Sequence, residues 1–141
     1  MTVTFFGHRD APIDIKPLIK ATLTDLIENH NATTFYVGNN GNFDLLVQSV
    51  LKELSTLYPI DYSIVFAYLP DKKSEQKNFE NTIYPEGLET VPKRFAISKR
   101  NEWMLKQSDT VITYVTHPSS GAWEWVKKAE KLHKVIININ N

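Results

Sequence analysis

Three glycine-bearing turns hold most of the polar side chains that could bind a ligand. Each turn follows a run of apolar and β-branched residues that is typical of a buried strand. Taken singly, each turn is explained equally well by local turn chemistry, because turns favour glycine, asparagine and serine anyway. Together the three turns predict a binding site, whose candidate residues are Gly7, His8 and Arg9 in the first turn, Gly38, Asn39, Gly41 and Asp44 in the second, and Ser119, Ser120 and Gly121 in the third.

The third turn joins a predicted strand to a predicted helix, which favours binding of an anion. Backbone N–H groups and the positive end of the helix dipole meet at such a junction, and no carboxylate lies between Val111 and Ala122. We expect Arg9 and Arg100 to complete the site as charge-assisted donors to a phosphate. The alternative is that a serine of the turn only caps the helix and that both arginines pair with acidic neighbours.

Other polar side chains near these turns have both a functional and a structural interpretation. Asp44, in the first turn of the second predicted helix, is either an acceptor for a ribose hydroxyl or a carboxylate that stabilises the helix dipole. Arg100 and Asn101 precede Met104 by four and three residues, so they share its side of the third predicted helix. His8 is interpreted as a hydrogen-bonded structural residue, because no catalytic partners can be assigned to it.

No motif in the chain indicates a metal or a cofactor. The histidines lack the spacing of known metal sites, and the chain contains no cysteine. The glycine patterns of dinucleotide-binding folds and of P-loops are absent, as is the nucleophile elbow of α/β-hydrolases. We therefore predict neither a metal ion nor a resident cofactor.

The balance of charge argues against a dedicated nucleic-acid or membrane-surface protein. The chain has sixteen basic and sixteen acidic residues, so its formal net charge is zero. A local basic patch is compatible with this sum. No apolar run approaches the ~20 residues of a membrane helix, and no signal peptide opens the chain. We expect a cytoplasmic protein, and the sequence leaves the oligomeric state open, with a homodimer as one option.

The elements that would position these turns alternate between strand and helix. Apolar runs predict strands at 2–6, 33–37, 62–68, 110–115 and 135–139, with helices between them. This order is typical of a single three-layer α/β/α Rossmann-like domain over residues 1–141, with a mostly parallel five-stranded sheet. We predict the strand order 3-2-1-4-5, with the ligand at the carboxyl ends of strands one and four, where the order reverses.

The segment 69–92 departs from this alternation. It contains three prolines and a glycine, and its first half is mostly charged or polar. We predict an irregular excursion with a short strand near 82–84 that folds over the cleft as a partial lid. Residues 93–107, which follow, form the third predicted helix.

Four motifs together resemble the SLOG superfamily, the Rossmann-like group that includes DNA-processing protein A and the Lonely Guy phosphoribohydrolases. The motifs are FFGHRD, FYVGNNGNFD, RNEWMLKQSD with VITYV, and SSGAWEWVKKAEK with KVIINI, in this order over nearly the whole chain. Within the superfamily, the chain resembles the small YpsA-related bacterial proteins. The resemblance implies a nucleotide or nucleotide-derived ligand, bound at the matching positions Gly7, His8, Arg9, Gly38, Gly41, Asp44, Arg100, Asn101, Asp109, Ser120, Gly121 and Ala122.

The chain departs from the Lonely Guy hydrolase motif P-G-G-x-G-T-x-x-E. Ala122 stands at the threonine position and Trp125 at the glutamate position, with Glu124 one residue earlier. We therefore favour a module that binds or senses a nucleotide-type ligand. A second hypothesis is an N-glycosidic hydrolase of nucleoside monophosphates, in which Arg100 orients the phosphoribosyl group and Glu124 stabilises the oxocarbenium-like charge. A third is a structural or partner-binding protein with a vestigial cleft.

Overall fold

The chain folds into alternating strands and helices. The structure, a computed structural model, describes residues 1–69, 81–118 and 120–139. Among the helices of this described part, none has the length and hydropathy to cross a membrane. The elements in chain order are β1 (Thr2–Gly7), α1 (Lys16–His30), β2 (Thr34–Val37), α2 (Asn42–Ser55), β3 (Asp61–Val65), β4 (Thr82–Ile83), α3 (Lys93–Gln107), β5 (Thr110–Tyr114), α4 (Gly121–Lys131) and β6 (Val135–Asn138), with short 3-10 turns at Ile13–Ile15 and Leu88–Thr90.

The strands form one six-stranded sheet in the order β4-β3-β2-β1-β5-β6. Each neighbouring pair is parallel. In the register around β1, Val3 lies opposite Phe35 of β2, and Phe5 lies opposite Ile112 of β5. The five strands expected from the sequence appear as β3-β2-β1-β5-β6, so the predicted α/β fold class and the predicted strand order are confirmed.

The predicted strand count of five is wrong, because β4 adds a sixth strand at the edge of the sheet. β4 has two residues, Thr82 and Ile83, which pair with Ile64 and Val65 of β3. The short strand predicted near 82–84 is therefore confirmed, but two residues are too few to show the period-2 alternation that would indicate a further strand of the sheet. The centre of the predicted excursion, residues 70–80, lies outside the described residues. Its last part, 81–92, contributes β4 and the turn at Leu88–Thr90.

β1 supplies side chains to both faces of the sheet, because successive residues of a strand point to opposite sides. Val3 and Phe5 join the core under α1 and α2. Phe6 packs on the other face, with Met104 of α3 and Trp125 of α4. Burying a large apolar side chain contributes roughly 1.5–3 kcal/mol, so both helical layers are firmly attached to the central strand.

The strand order reverses at β1, which opens a crevice above β1 and β5. β1 leads through α1 to β2 on one side, whereas α3 leads to β5 on the other side. The two connections therefore diverge at the carboxyl ends of the central strands. Ligands of parallel α/β sheets bind in such crevices.

Candidate functional site

A cleft of about 510 Å³ lies at the carboxyl ends of β1 and β5. Its walls are the turn after β1, the start of α2, one face of α3 and the start of α4. The cleft brings together eight of the residues predicted from the sequence, namely Gly7, His8, Arg9, Asp44, Arg100, Asn101, Ser120 and Gly121. Ser119, another predicted site residue, lies outside the described residues.

Gly38 and Gly41 do not line the cleft but allow other groups to approach it. A Cβ atom on Gly38 would lie 2.8 Å from Asp44 Oδ2 and 2.9 Å from Arg100 Nη1. Gly41 has a φ of +103°, and a Cβ atom there would lie 2.7 Å from the Cα of Arg9. Both glycines are therefore needed for close packing, and only the second also needs the left-handed backbone region.

Arg100 is the central side chain of the site and is 2 % exposed. Its Nε donates to Asn101 Oδ1 at 2.8 Å, and its Nη1 donates to the Val65 carbonyl oxygen at 2.9 Å and to Asn39 Oδ1 at 3.2 Å. These acceptors are neutral oxygens that fix the plane of the guanidinium. Its Nη2 donates no hydrogen bond to a described residue, and the side chain lines the cleft. Two N–H groups of a buried cation are thus left for a ligand.

The ionisation of the buried pair Arg100 and Asp44 is set mainly by burial. Burial lowers the pKa of Arg100, and the charges of Asp44 and Tyr68 partly oppose this. Arginine side chains in proteins keep their proton at neutral pH. Burial raises the pKa of Asp44 to about 6, against the hydrogen bond from the Asn40 backbone and the charge of Arg100. The Asn40 N–H donates to Asp44 Oδ2 at 2.9 Å. Asp44 therefore changes charge close to physiological pH.

The first and second turns are joined by hydrogen bonds at the rim. Arg9 Nη2 donates to Asn40 Oδ1 at 2.6 Å, and the Asn42 backbone N–H donates to the Arg9 carbonyl oxygen at 2.8 Å. Within the described residues, neither Arg9 nor Arg100 forms an ion pair with a carboxylate. The half of the structural alternative in which both arginines pair with acidic neighbours therefore has no support among these residues.

His8 is buried and held by the end of β5. Its Nε2 accepts a hydrogen bond from the Thr116 backbone N–H at 2.8 Å, which leaves the proton of the neutral ring on Nδ1. Burial and the nearby His117 lower the pKa of His8, with a smaller opposing effect of Asp10. The two histidine rings stack at a centroid distance of 4.2 Å. His8 is thus hydrogen-bonded, as expected, and it also forms part of the cleft wall.

Ser120 caps α4, so one half of the structural alternative is present. Its Oγ accepts a hydrogen bond from the Trp123 backbone N–H at 3.3 Å. Gly121 and Ala122, the first residues of α4, line the cleft. The cap fixes the direction of the helix, whose positive end faces the cleft in which Arg100 lies.

Glu124 is not brought to the cleft with the other candidate residues. Its side chain is exposed and pairs with Lys127 at 3.1 Å on the outer face of α4. Adjacent helical residues are about 100° apart around the axis, so the next residue, Trp125, points inward instead. Trp125 lines the cleft and stacks on Phe6 at a centroid distance of 5.5 Å. The catalytic role suggested for Glu124 therefore has no geometric support.

Several cleft residues were not singled out by the sequence. Asn40 lies in the second turn between the candidates Asn39 and Gly41, and this position was the only indication of its role in the sequence. His117 follows β5 in the third turn and has no motif that indicates a role, yet it stacks on His8. Among the described residues, no group of three or more acidic, histidine or cysteine side chains is arranged to hold a metal ion. Other lining residues that were not named as ligand-binding candidates are Phe5, Phe6, Asp10, Ile97, Met104 and Trp125.

No family model matches the chain, and no curated protein matches it either. A solved structure that describes the single-stranded DNA binding mode of DNA processing protein A from Helicobacter pylori does match. It aligns with a TM-score of 0.66 and 18% sequence identity, over 96% of this chain and 63% of that chain. The chain thus spans less than two thirds of the length of that protein.

This likeness corrects one prediction. The even charge balance argued against nucleic acid as a partner, but a protein with a similar fold has a binding mode for single-stranded DNA. A net charge sums over the whole chain and contains no information on where charges lie, so that prediction is wrong. At this level of identity the likeness establishes the fold: the chain has the Rossmann-like α/β fold found in DNA processing protein A.

Proposed function

We propose that the cleft binds a nucleotide unit through its phosphate group, and that the chain is a YpsA-related member of the SLOG superfamily. The observation that carries the proposal is the environment of Arg100. Its guanidinium is buried, its partners are neutral oxygens, and its Nη2 makes no hydrogen bond within the described residues. A buried charge is costly unless an opposite charge compensates it. The charge of Asp44 supplies part of that compensation without an ion pair, and an anion in the cleft would supply more.

A phosphate suits this position better than a carboxylate-bearing peptide or a neutral ligand. Its oxygens can accept from Arg100 Nη2, from Arg9 at the rim and from the backbone at the start of α4. Asp44 lies in the same cleft and offers a carboxylate acceptor to a sugar hydroxyl. These groups together match the phosphate and the sugar of a nucleotide.

The nucleotide unit could belong to a free mononucleotide or to a single strand of nucleic acid. The second candidate is favoured by the fold shared with DNA processing protein A, whose structure concerns single-stranded DNA. The first is favoured by the size of the cleft, about 510 Å³, which falls in the usual range for small-molecule sites. Calorimetry with nucleoside monophosphates and with a short single-stranded oligonucleotide separates the two candidates.

Hydrolysis of an N-glycosidic bond ranks behind binding, because Glu124 is outside the cleft. The check is incubation of the protein with nucleoside monophosphates, followed by a search for free base. A vestigial cleft predicts that no nucleotide or oligonucleotide stabilises the protein, whereas a ligand at a hundred times its Kd should add about 2.7 kcal/mol.

Two substitutions test the phosphate site. Arg100→Met removes the charge but keeps an unbranched apolar stem, and it should weaken binding by about 1.5–3 kcal/mol. Ser120→Asp keeps an acceptor at the helix cap but puts a negative charge beside the phosphate, so binding should be abolished. Ser120→Asn is the matched neutral control and should bind like the parent.

Arg94→Ala serves as a control for Arg100, since Arg94 lies on the same helix but is exposed over the Phe95 ring. It should leave affinity for a mononucleotide unchanged. Parent-like affinity in both Arg100→Met and Ser120→Asp would place the anion elsewhere. That result would refute the proposed site.

A further inference from the structure

We infer that His117 forms a nucleobase-binding shelf within the proposed nucleotide cleft. The inference rests on the proposed function and specifies where the base lies. His117 is exposed, follows β5 by three residues and lines the cleft. An exposed aromatic ring in a polar cleft is a surface on which the flat face of a base can stack.

The ring of His117 is held in place from below. It lies nearly parallel to the His8 ring, at a centroid distance of 4.2 Å and an interplanar angle of 8°. The His8 ring is itself fixed, because its Nε2 accepts from the Thr116 backbone N–H and Tyr114 meets it edge-on at 5.8 Å. Phe43 then stacks on Tyr114. A series of rings thus connects the core to the floor of the cleft.

This support matters because binding usually costs side-chain entropy. An exposed ring that moves among rotamers must be immobilised when a ligand stacks on it, at about 0.5–1.5 kcal/mol per side chain. Stacking on His8 reduces that cost, since one face of His117 is already covered. A base on the opposite face would extend the same stack by one ring.

The position of His117 also fits the proposed phosphate site. His117 lies three positions before Ser120 at the start of α4, and a chain of three residues spans at most about 10 Å. A phosphate at the start of α4 and a base on His117 are therefore within the reach of one nucleotide unit. The alternative role for His117 is to contact the phosphate by its charge.

Comparison of AMP with ribose 5-phosphate distinguishes these roles, because the two ligands share the phosphate and sugar and differ in the base. For His117→Ala, affinity for AMP should fall about tenfold, which equals about 1.4 kcal/mol and lies in the range measured for stacking on aromatic side chains. Affinity for ribose 5-phosphate should not change. His117→Phe, which keeps a flat ring without a charge, should retain AMP binding.

The same pairs of measurements are made with a single-stranded oligonucleotide and its abasic counterpart. His30→Ala is the control, since His30 is exposed near Asp25 at the end of α1. In NMR spectra, the ring protons of His117 should move upfield on addition of AMP but not of ribose 5-phosphate. This shift tests the stack in the unsubstituted protein, even if His117→Ala folds poorly.

Two results would overturn the inference. If His117→Ala lost affinity equally for AMP and for ribose 5-phosphate, His117 would be assigned to the phosphate. If its affinity for AMP were unchanged, His117 would not belong to the site. If the unsubstituted protein bound none of these ligands, the proposed function would fail, and the shelf would fail with it. If the protein bound ribose 5-phosphate and AMP equally, only the shelf would be refuted.

Discussion

Substitution of Asp44 by asparagine should remove a pH dependence from the stability of the fold. Burial raises the pKa of Asp44 to about 6, whereas an aspartate in an unfolded chain titrates near pH 4. One pKa unit corresponds to about 1.4 kcal/mol, so ionising Asp44 costs the native state on the order of 3 kcal/mol. The hydrogen bond from Asn40 and the charge of Arg100 recover only part of the cost of burial.

The sign of the effect follows from the number of bound protons. Between about pH 4 and pH 6 the folded protein holds the Asp44 proton more tightly than the unfolded chain, so stability falls as the pH rises through this window. The asparagine side chain has no charge and would keep an oxygen to accept from the Asn40 N–H. The substitution Asp44→Asn should therefore raise the free energy of unfolding above pH 6 by up to about 3 kcal/mol, and the two proteins should converge below about pH 4.

Urea denaturation from about pH 3.5 to about pH 7.5 measures this difference. Hydrogen bonding to Lys16 lowers the pKa of Glu53, which gives stability the opposite pH dependence, but this effect is common to both proteins and cancels. Asp14→Asn, at an exposed position, is the control. A difference between parent and Asp44→Asn that stays constant over the whole pH range would refute this account of the buried carboxyl.

Two further substitutions test the packing and the boundary of the cleft. Gly38→Ala should destabilise the protein by about 1–3 kcal/mol and weaken ligand binding, because the added Cβ atom would meet Asp44 and Arg100. Urea denaturation measures the loss of stability. Gly121→Ala is the control, since a Cβ atom there meets nothing within 4 Å. Glu124→Gln should leave nucleotide affinity unchanged in calorimetry, since Glu124 pairs with Lys127 outside the cleft; a tenfold loss of affinity would contradict the assignment of the cleft walls.

The fold was predictable because hydrophobic period and turn residues agreed along most of the chain. In α2, apolar residues repeat at helical spacing, and the structure buries Phe43, Val47, Val50, Leu51 and Leu54. The third helix was predicted over 93–107 and occupies Lys93–Gln107. Right-handed crossovers between parallel strands then left few arrangements of the sheet. The short strand β4 was predicted near 82–84, but its place as a sixth strand of the sheet was not, because two residues carry no period.

The candidate site was predictable by location but less so by role. The turns had to converge, since the carboxyl ends of parallel strands lie at one edge of the sheet. Glycines in turns often adopt positive φ. Gly41 does so, but Gly38 is not among the residues with positive φ. Position 38 needs a glycine because the side chains of Asp44 and Arg100 pack where a Cβ atom would lie. Such crowding involves α3, more than fifty residues away in sequence, and no local pattern encodes it.

The placement of charges in the cleft shows why a summed charge contains little information about phosphate binding. The cleft itself is lined by Arg9, Arg100, Asp10 and Asp44, so at a pH above the Asp44 pKa of about 6 its formal charges also sum to zero. These charges are not equivalent, however. Arg100 is buried and held by neutral oxygens, whereas Asp10 is exposed, and a charge in a medium of low dielectric acts far more strongly than one in water. At the proposed site, recognition of a phosphate would depend on which charges are buried and which hydrogen-bonding groups are left for a ligand, and both are set by the folded arrangement of α3 against β3.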